Sequence, residues 1–383
     1  MRVRTESFGA WIALDDGTLV AVTQERARAL GVAESPKWAA EHQAIHTPLE
    51  AHVAITSQCA VGCEGCYQNA TPNGTHVSLA QLEKTFASLA AQSVFTVALG
   101  GGEPLSHPEL ATIARNAKQH GLSCVVTTSG VGLLPSHDLS AFSQVNVSHD
   151  GLNGAYVSVR GVNAQTQAEA AIMQLVAQGV RVGVNYVLTR DSFAQVEDTA
   201  KRAVELGVVE LQLLRYKPSG RAASLDYLDK RLSLAQVDAF AALLQRLSLQ
   251  FESKLSIRVD CALVPFLSET SLTVAQLEQW GVFGCEAGRQ LVAIDANGRT
   301  KPCSFAHSIT QDQFDSYLAK PTAPCNGCAI QAVCRGGCKI VSQHLKHTVS
   351  ADPECPKVRK YQASVHAVDD AVEALHTTQE PLS

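Results

Sequence analysis

The sequence predicts an α/β fold: a partial (β/α)6 barrel of the TIM type, with a short N-terminal β-hairpin extension and a cysteine-rich C-terminal domain. Two observations carry most of this prediction. Strand and helix signals alternate through six units between about residues 50 and 214, and parallel strands need such helical crossovers. Ten of the 12 cysteines fall in two groups, Cys59 to Cys66 and Cys285 to Cys355, with only Cys124 and Cys261 between them.

The elements follow in chain order. Residues 8–14 and 18–22 are strand-like runs around Asp15-Asp16-Gly17, a hairpin signal, and a short helix follows at 24–30. Residues 52–56 read as a buried strand. Ser78-Leu79-Ala80-Gln81 is a capping box opening a helix with Leu79, Leu82, Phe86 and Leu89 on one face. Residues 94–99 form the next strand, after which Pro108 and Gly121 bracket a helix. The alternation continues with strand 122–128, a short helix near 136–142, strand 144–148, helix 163–178, strand 181–188, helix 193–206 and strand 208–214. A capped helix at 233–249 leads through a strand ending at Asp260 into the second cysteine group. Four regions result: an extension (1–47), the barrel (48–255), the cysteine-rich domain (256–356) and a C-terminal helix and tail (357–383). Active sites in such barrels lie at the C-terminal strand ends.

Composition excludes several classes. The 383 residues are 46% hydrophobic and 17% charged, enough to bury a large core. Net charge is −5 with no sustained basic run, which leaves no electrostatic footprint for nucleic acid. No signal-like stretch follows the N-terminal charges, and no window reaches the roughly 18 apolar residues of a membrane span. A soluble cytoplasmic protein is expected, and there clustered cysteines more often hold metal than disulfides.

Cys59-Ala60-Val61-Gly62-Cys63-Glu64-Gly65-Cys66 follows directly on the first barrel strand. Three thiolates on one loop can hold three irons of a four-iron cubane and leave one iron open, whereas zinc would want a fourth close ligand. This CxxxCxxC loop resembles that of the radical S-adenosylmethionine (SAM) superfamily, in which SAM chelates the open iron. Gly100-Gly101-Gly102-Glu103-Pro104 after the second strand looks like the family's GGEP motif. The resemblance implies SAM contacts at Gly101, Gly102, Glu103 and Pro104, with Glu103 facing the SAM ammonium. It also implies roles for Ser148 and Arg160 on the SAM ribose or carboxylate, and for the backbone of Val187 and Leu188 against adenine. One departure stands out. Relatives place an aromatic residue before the third cluster cysteine, but here Gly65 precedes it and Tyr67 follows it, so Tyr67 is the candidate contact.

The second group runs Cys285, Gly298, Cys303, Cys325, Cys328, Cys334, Cys338 and Cys355. A double zinc ribbon is the plain alternative. The order and spacing resemble the seven-cysteine SPASM extension of peptide-modifying radical SAM enzymes. That resemblance implies a distal auxiliary cluster on Cys325, Cys328, Cys334 and Cys355, and a proximal one on Cys285, Cys303 and Cys338. Cys261 is the upstream candidate for a fourth proximal ligand; ligand and buried structural thiol are both open readings. Cys124 reads as a core thiol.

The cofactors implied are three 4Fe-4S clusters and SAM. The activity implied is reductive SAM cleavage, hydrogen abstraction by a 5′-deoxyadenosyl radical, and oxidative closure of a thioether, C–C or C–O crosslink in a ribosomal precursor peptide. Formylglycine formation, as in anaerobic sulfatase maturases, is an alternative; those enzymes have an aspartate after the second SPASM cysteine, where this chain has Ser304. An electron-transfer or scaffold protein that cleaves no SAM is the alternative of another class. Expected partners are the precursor peptide, an electron donor such as flavodoxin or ferredoxin, and a separate leader-binding protein. The N-terminal hairpin either docks a leader by strand addition or caps the barrel. His149 and Arg215 are weak catalytic candidates, and Arg215, Lys217 and Arg221 place three cations at the barrel mouth.

Overall fold

The structure, a computed structural model, describes residues 2–14, 17–39, 47–224 and 227–365. Strands β1 (Arg2–Glu6), β2 (Gly9–Ala13) and β3 (Leu19–Thr23) form an antiparallel sheet in the order β1-β2-β3. The expected hairpin is β2–β3, and its turn residues Asp15 and Asp16 lie outside the described residues.

The barrel strands are β4 (Glu50–Thr56), β5 (Thr96–Gly101), β6 (Ser123–Thr128), β7 (Gln144–Ser148), β8 (Val182–Leu188) and β9 (Glu210–Arg215). Three more come from the cysteine-rich region: β10 (Ser256–Val259), β11 (Leu291–Ile294) and β12 (Thr300–Lys301). Their order is β10-β9-β8-β7-β6-β5-β4-β11-β12, parallel except for the β11–β12 pair. The result is an open barrel. The sheet crosses the expected boundary at residue 255, because residues 256–301 supply both of its edges.

Period-two alternation decides which side chains face the interior. On β4, Ala51, Val53 and Ile55 join the core formed with Leu82, Phe86 and Leu89 of the helix Leu79–Ala91. Glu50 and His52 therefore face inward and are only half-buried. The interior is polar along its length: Gln144 donates to Glu210 at 2.9 Å, and Asn185 to Thr127 at 3.4 Å. A Cβ at Gly183 would lie 2.3 Å from Asn146 Oδ1, so glycine there leaves room for the Asn146 and Gln144 side chains.

Three expectations change. Residues 136–142 are turns and not a helix: Asp138 Oδ1 accepts from the Ser140 backbone at 3.1 Å and holds a local turn, while Leu139 and Phe142 are still buried. A helix at Gly154–Arg160 was not foreseen; its Gly start and β-branched Val157 and Val159 give weak helix signals. β1 was concealed by its charges. Arg4 is buried, paired to Glu6 at 2.8 Å, and donates to Pro48 O at 2.8 Å and Ser93 O at 3.1 Å. Arg2 donates to Gly121 O at 2.6 Å. Those carbonyls precede β4, β5 and β6, so the small sheet is fastened to the N-terminal end of the barrel.

Residues 356–365 are helical; the rest of the expected tail lies outside the described residues. Among the described residues no helix is long and apolar enough to cross a membrane.

Candidate active site

The cysteine loop begins at the C-terminal end of β4. Cys59 N donates to Thr71 O at 2.8 Å and Ser57 N to Thr75 O at 2.9 Å, so the loop returns along its own exit strand. The β5 exit crosses directly over this entry. Gly102 N donates to Thr56 O at 2.7 Å and Glu103 N to Gln58 O at 2.8 Å. A Cβ on Gly102 would lie 2.1 Å from Gln58 O. The close approach these glycines allow is therefore to the chain's own cluster loop.

Glu103 is buried, and both its oxygens already accept from protein donors. Thr128 Oγ1 (2.5 Å) and Leu105 N (3.1 Å) reach one oxygen, while Ser129 N (2.8 Å) and Ser129 Oγ (2.6 Å) reach the other. The carboxylate ties the ends of β5 and β6 together beneath the loop. Pro104 follows at the first position of a short 3-10 turn and is buried.

Arg160 is oriented by Asp150, whose Oδ2 accepts from Nε at 2.5 Å. Asp150 Oδ1 accepts from Val187 N at 2.6 Å, and Arg160 Nη1 lies 3.7 Å from Cys63 Sγ. Burial would lower the guanidinium's pKa, but Asp150 and Cys63 raise it, so a permanent cation faces the Cys63 thiol. Ser148 closes β7 and is buried opposite Asn185. Leu188 belongs to the outer core, whereas Val187 faces the second core described below.

The other candidates stand apart from these expectations. The Tyr67 ring stacks on Phe305 at 4.5 Å, so its face meets the cysteine-rich domain. His149 turns outward: its Nε2 contacts Glu169 at 3.2 Å, and Glu169 is paired with Arg202 at 2.6 Å in the helix layer. None of the three mouth cations is free. Arg215 pairs with Asp352 and Glu354, and Lys217 with Asp260. Arg221 clasps the cluster loop, donating to Cys63 O and Ala70 O at 2.9 Å each while its own N donates to Cys66 O at 2.9 Å.

A constellation the sequence reading missed lies inside the barrel. His52 Nδ1 is 2.8 Å from Ser304 Oγ, and His52 Nε2 is 3.1 Å from Glu50 Oε1. Burial pushes the Glu50 carboxyl up, but His52 and Arg258 outweigh it and keep the group anionic. The only sequence signal was the period-two placement of Glu50 and His52 on the inward face.

The second cysteine group divides in space. Cys325, Cys328, Cys334 and Cys355 all line one small pocket with Pro265 and Ser268. Cys285, Cys303 and Cys338 pack in a second core with Tyr216, Ala262 and Phe305. Burial, then neighbouring thiols, pushes Cys303 up to about 12. Cys261 adjoins this set: its Sγ donates to Asp260 Oδ1 at 3.3 Å, and burial, Asp260 and Cys285 in turn hold the thiol neutral. Among the described residues no three His, Cys, Asp or Glu side chains close around a single ion. Four thiols gathered on one pocket are a donor set that fits a multi-iron cluster, and iron would supply what deprotonates such thiols. Cys124 is a core thiol.

The contact between the two cysteine regions is direct. Besides the Tyr67–Phe305 stack, His307 Nε2 lies 3.0 Å from Tyr67 O, and Ser219 Oγ donates to Phe305 O at 3.1 Å.

Residues 53–207 match the Radical SAM superfamily. The PqqA peptide cyclase of Ruegeria pomeroyi is 26% identical over 298 residues, covering 73% of this chain and 74% of that protein. The pre-heme d1 synthase of Dinoroseobacter shibae is 25% identical over 342 residues, 79% of this chain and 84% of its own. In fold, the chain is similar to Streptococcus suis SuiB bound to its precursor peptide SuiA, with TM-score 0.69 and 14% identity over 92% of this chain and 98% of that one. The CxxxCxxC loop after the first strand of an open parallel barrel, the glycine crossing above it and the sequence match agree: residues 53–207 of this chain are a radical SAM domain, which implies SAM and a four-iron cluster.

Proposed function

We propose that this protein crosslinks a ribosomally made precursor peptide, using three four-iron clusters and SAM. The observation that carries the reading is the seating of the Phe305–His307 turn on Cys66-Tyr67, which brings the proximal thiols beside the catalytic loop. When bound, a reduced catalytic cluster and SAM supply a radical that takes hydrogen from an unactivated carbon. Closing a bond from a substrate radical then releases a proton and an electron, the electron to an acceptor of the iron–sulfur class.

The chain's own residues account for the proton. His52, half-buried within the barrel and oriented by Glu50, can accept it directly or through Ser304. Positioned bases of this kind contribute about 10²–10⁴-fold. Reconstituted enzyme, dithionite and SAM, incubated with candidate precursor peptides, should yield 5′-deoxyadenosine and a peptide lighter by two hydrogens. In His52→Ala, 5′-deoxyadenosine should persist while crosslinked peptide falls at least about tenfold. Equal loss of both products would remove His52 from this role.

Cys261 completes the proximal set in this reading. Cys261→Ala should alter the electron paramagnetic resonance (EPR) signal of one auxiliary cluster; an unaltered signal with lower stability would make it a core thiol. Synthesis of a haem-type macrocycle is disfavoured, because the mouth cations that could meet its carboxylates are all internally paired. Formylglycine formation lacks its aspartate, since Ser304 follows Cys303. Electron delivery falls to a flavodoxin or ferredoxin. A leader would add to the exposed strand β3 or bind a separate protein.

A further inference from the structure

The distal and proximal cysteine sets meet in Cys334-Arg335-Gly336-Gly337-Cys338-Lys339, since Cys334 belongs to one and Cys338 to the other. Arg335, Gly336 and Gly337 take φ of 54°, 77° and 78°, so the chain turns sharply between the two sites. A Cβ on Gly336 would lie 2.3 Å from the Tyr317 hydroxyl, and one on Gly337 2.5 Å from Asp352 Cβ, so the turn is packed on both sides.

Lys339 closes this turn from within. It is 1% exposed, and its Nζ donates to Arg335 O at 3.0 Å and Ser350 O at 3.5 Å. The ammonium lies 3.7 Å from the centre of the Tyr317 ring. The Tyr317 hydroxyl is buried and faces the Cys325 thiol. No carboxylate among the described residues forms an ion pair with Lys339, and Asp352, whose charge also bears on it, is already held by Arg215. Burial lowers the pKa of this ammonium, so it stays charged here only with anionic compensation. The groups left to provide it are the two cysteine sets: Lys339 follows Cys338 directly, holds the carbonyl of the residue after Cys334, and covers the Tyr317 ring that faces Cys325.

We propose that Lys339 is the shared counter-charge of the two auxiliary clusters, a positioning residue that raises both reduction potentials together. A fixed cation favours the more negative, reduced state of each cluster, and a low-dielectric setting strengthens that effect. Placed between the two, one ammonium raises both potentials and leaves the difference between them little changed. The proposal rests on the three-cluster reading above.

The test is an EPR-monitored redox titration of the full chain, reconstituted anaerobically with iron and sulfide. Iron is counted first. Wild-type protein with about twelve irons supports the three-cluster reading, whereas about four would end that reading before Lys339 is tested. In Lys339→Met both auxiliary midpoint potentials should fall while the catalytic cluster's stays put, and Lys339→Arg should restore them. Unchanged auxiliary potentials, a shift in only one cluster, or an equal shift in all three would overturn the proposal. Should the methionine variant lose auxiliary iron, Lys339→Gln keeps a donor to Arg335 O without the charge and reads out the same prediction.

Discussion

On the proposed three-cluster reading, Cys59→Ala is expected to abolish 5′-deoxyadenosine formation while leaving about eight of twelve irons bound. The selectivity follows from how the loop is held. Its backbone is fixed by Cys59 N on Thr71 O, by Arg221 on Cys63 O and Cys66 O, and by Glu64 N on Arg160 O, none of which uses the Cys59 side chain. Removing the thiol therefore removes one iron ligand and not the loop. The distal cysteines line their own cavity, and the proximal ones lie in a separate core, so neither group depends on Cys59 for its packing. Iron analysis and an assay with dithionite and SAM check both halves. Undiminished 5′-deoxyadenosine would remove Cys59 from the catalytic cluster, and loss of all iron would mean that the three sites do not assemble independently.

The barrel was legible because a parallel strand buried on its outer face must read as alternating or continuous apolar residues, as Ala51, Val53 and Ile55 do. The cysteines were legible for a different reason: metal chemistry demands particular ligands at particular spacings. β12 escaped because a run of two residues carries too little pattern to separate from loop. Long polar side chains were the least legible of all. Lys217 and Arg221 were legible only as cations at the barrel mouth, yet each finds its partner within the chain. His52 meets Ser304 across 252 residues, and no periodicity relates positions so far apart. Sequence thus marks what a residue can do, and tertiary contact decides whether that capacity is already used.

Arg215 is where this difference has the largest energetic consequence. Its side chain is 3% exposed, and its guanidinium grips Asp352 at 2.5 and 3.1 Å, Glu354 at 2.6 Å and Ala262 O at 2.9 Å. Phe266 covers it at 4.7 Å. Burial would lower its pKa, but Asp352, Tyr227 and Glu354 together hold it far above the usual value. Arg215→Met should destabilise the protein by about 3–5 kcal/mol, because it strands a buried carboxylate with no cation. Glu354 retains Arg231 and the Tyr227 hydroxyl, so Asp352 bears most of the loss. Asp352 also accepts from Cys338 N at 3.1 Å, which makes the proximal site the first to loosen. Chemical denaturation and the EPR signal of the proximal cluster should therefore change together, with the catalytic cluster's signal retained. Arg215→Lys, which keeps the charge but not the planar fork, should fall between. An Arg215 whose task was to bind substrate would behave in the opposite way: the methionine variant would keep its stability and its iron and lose only the modified peptide.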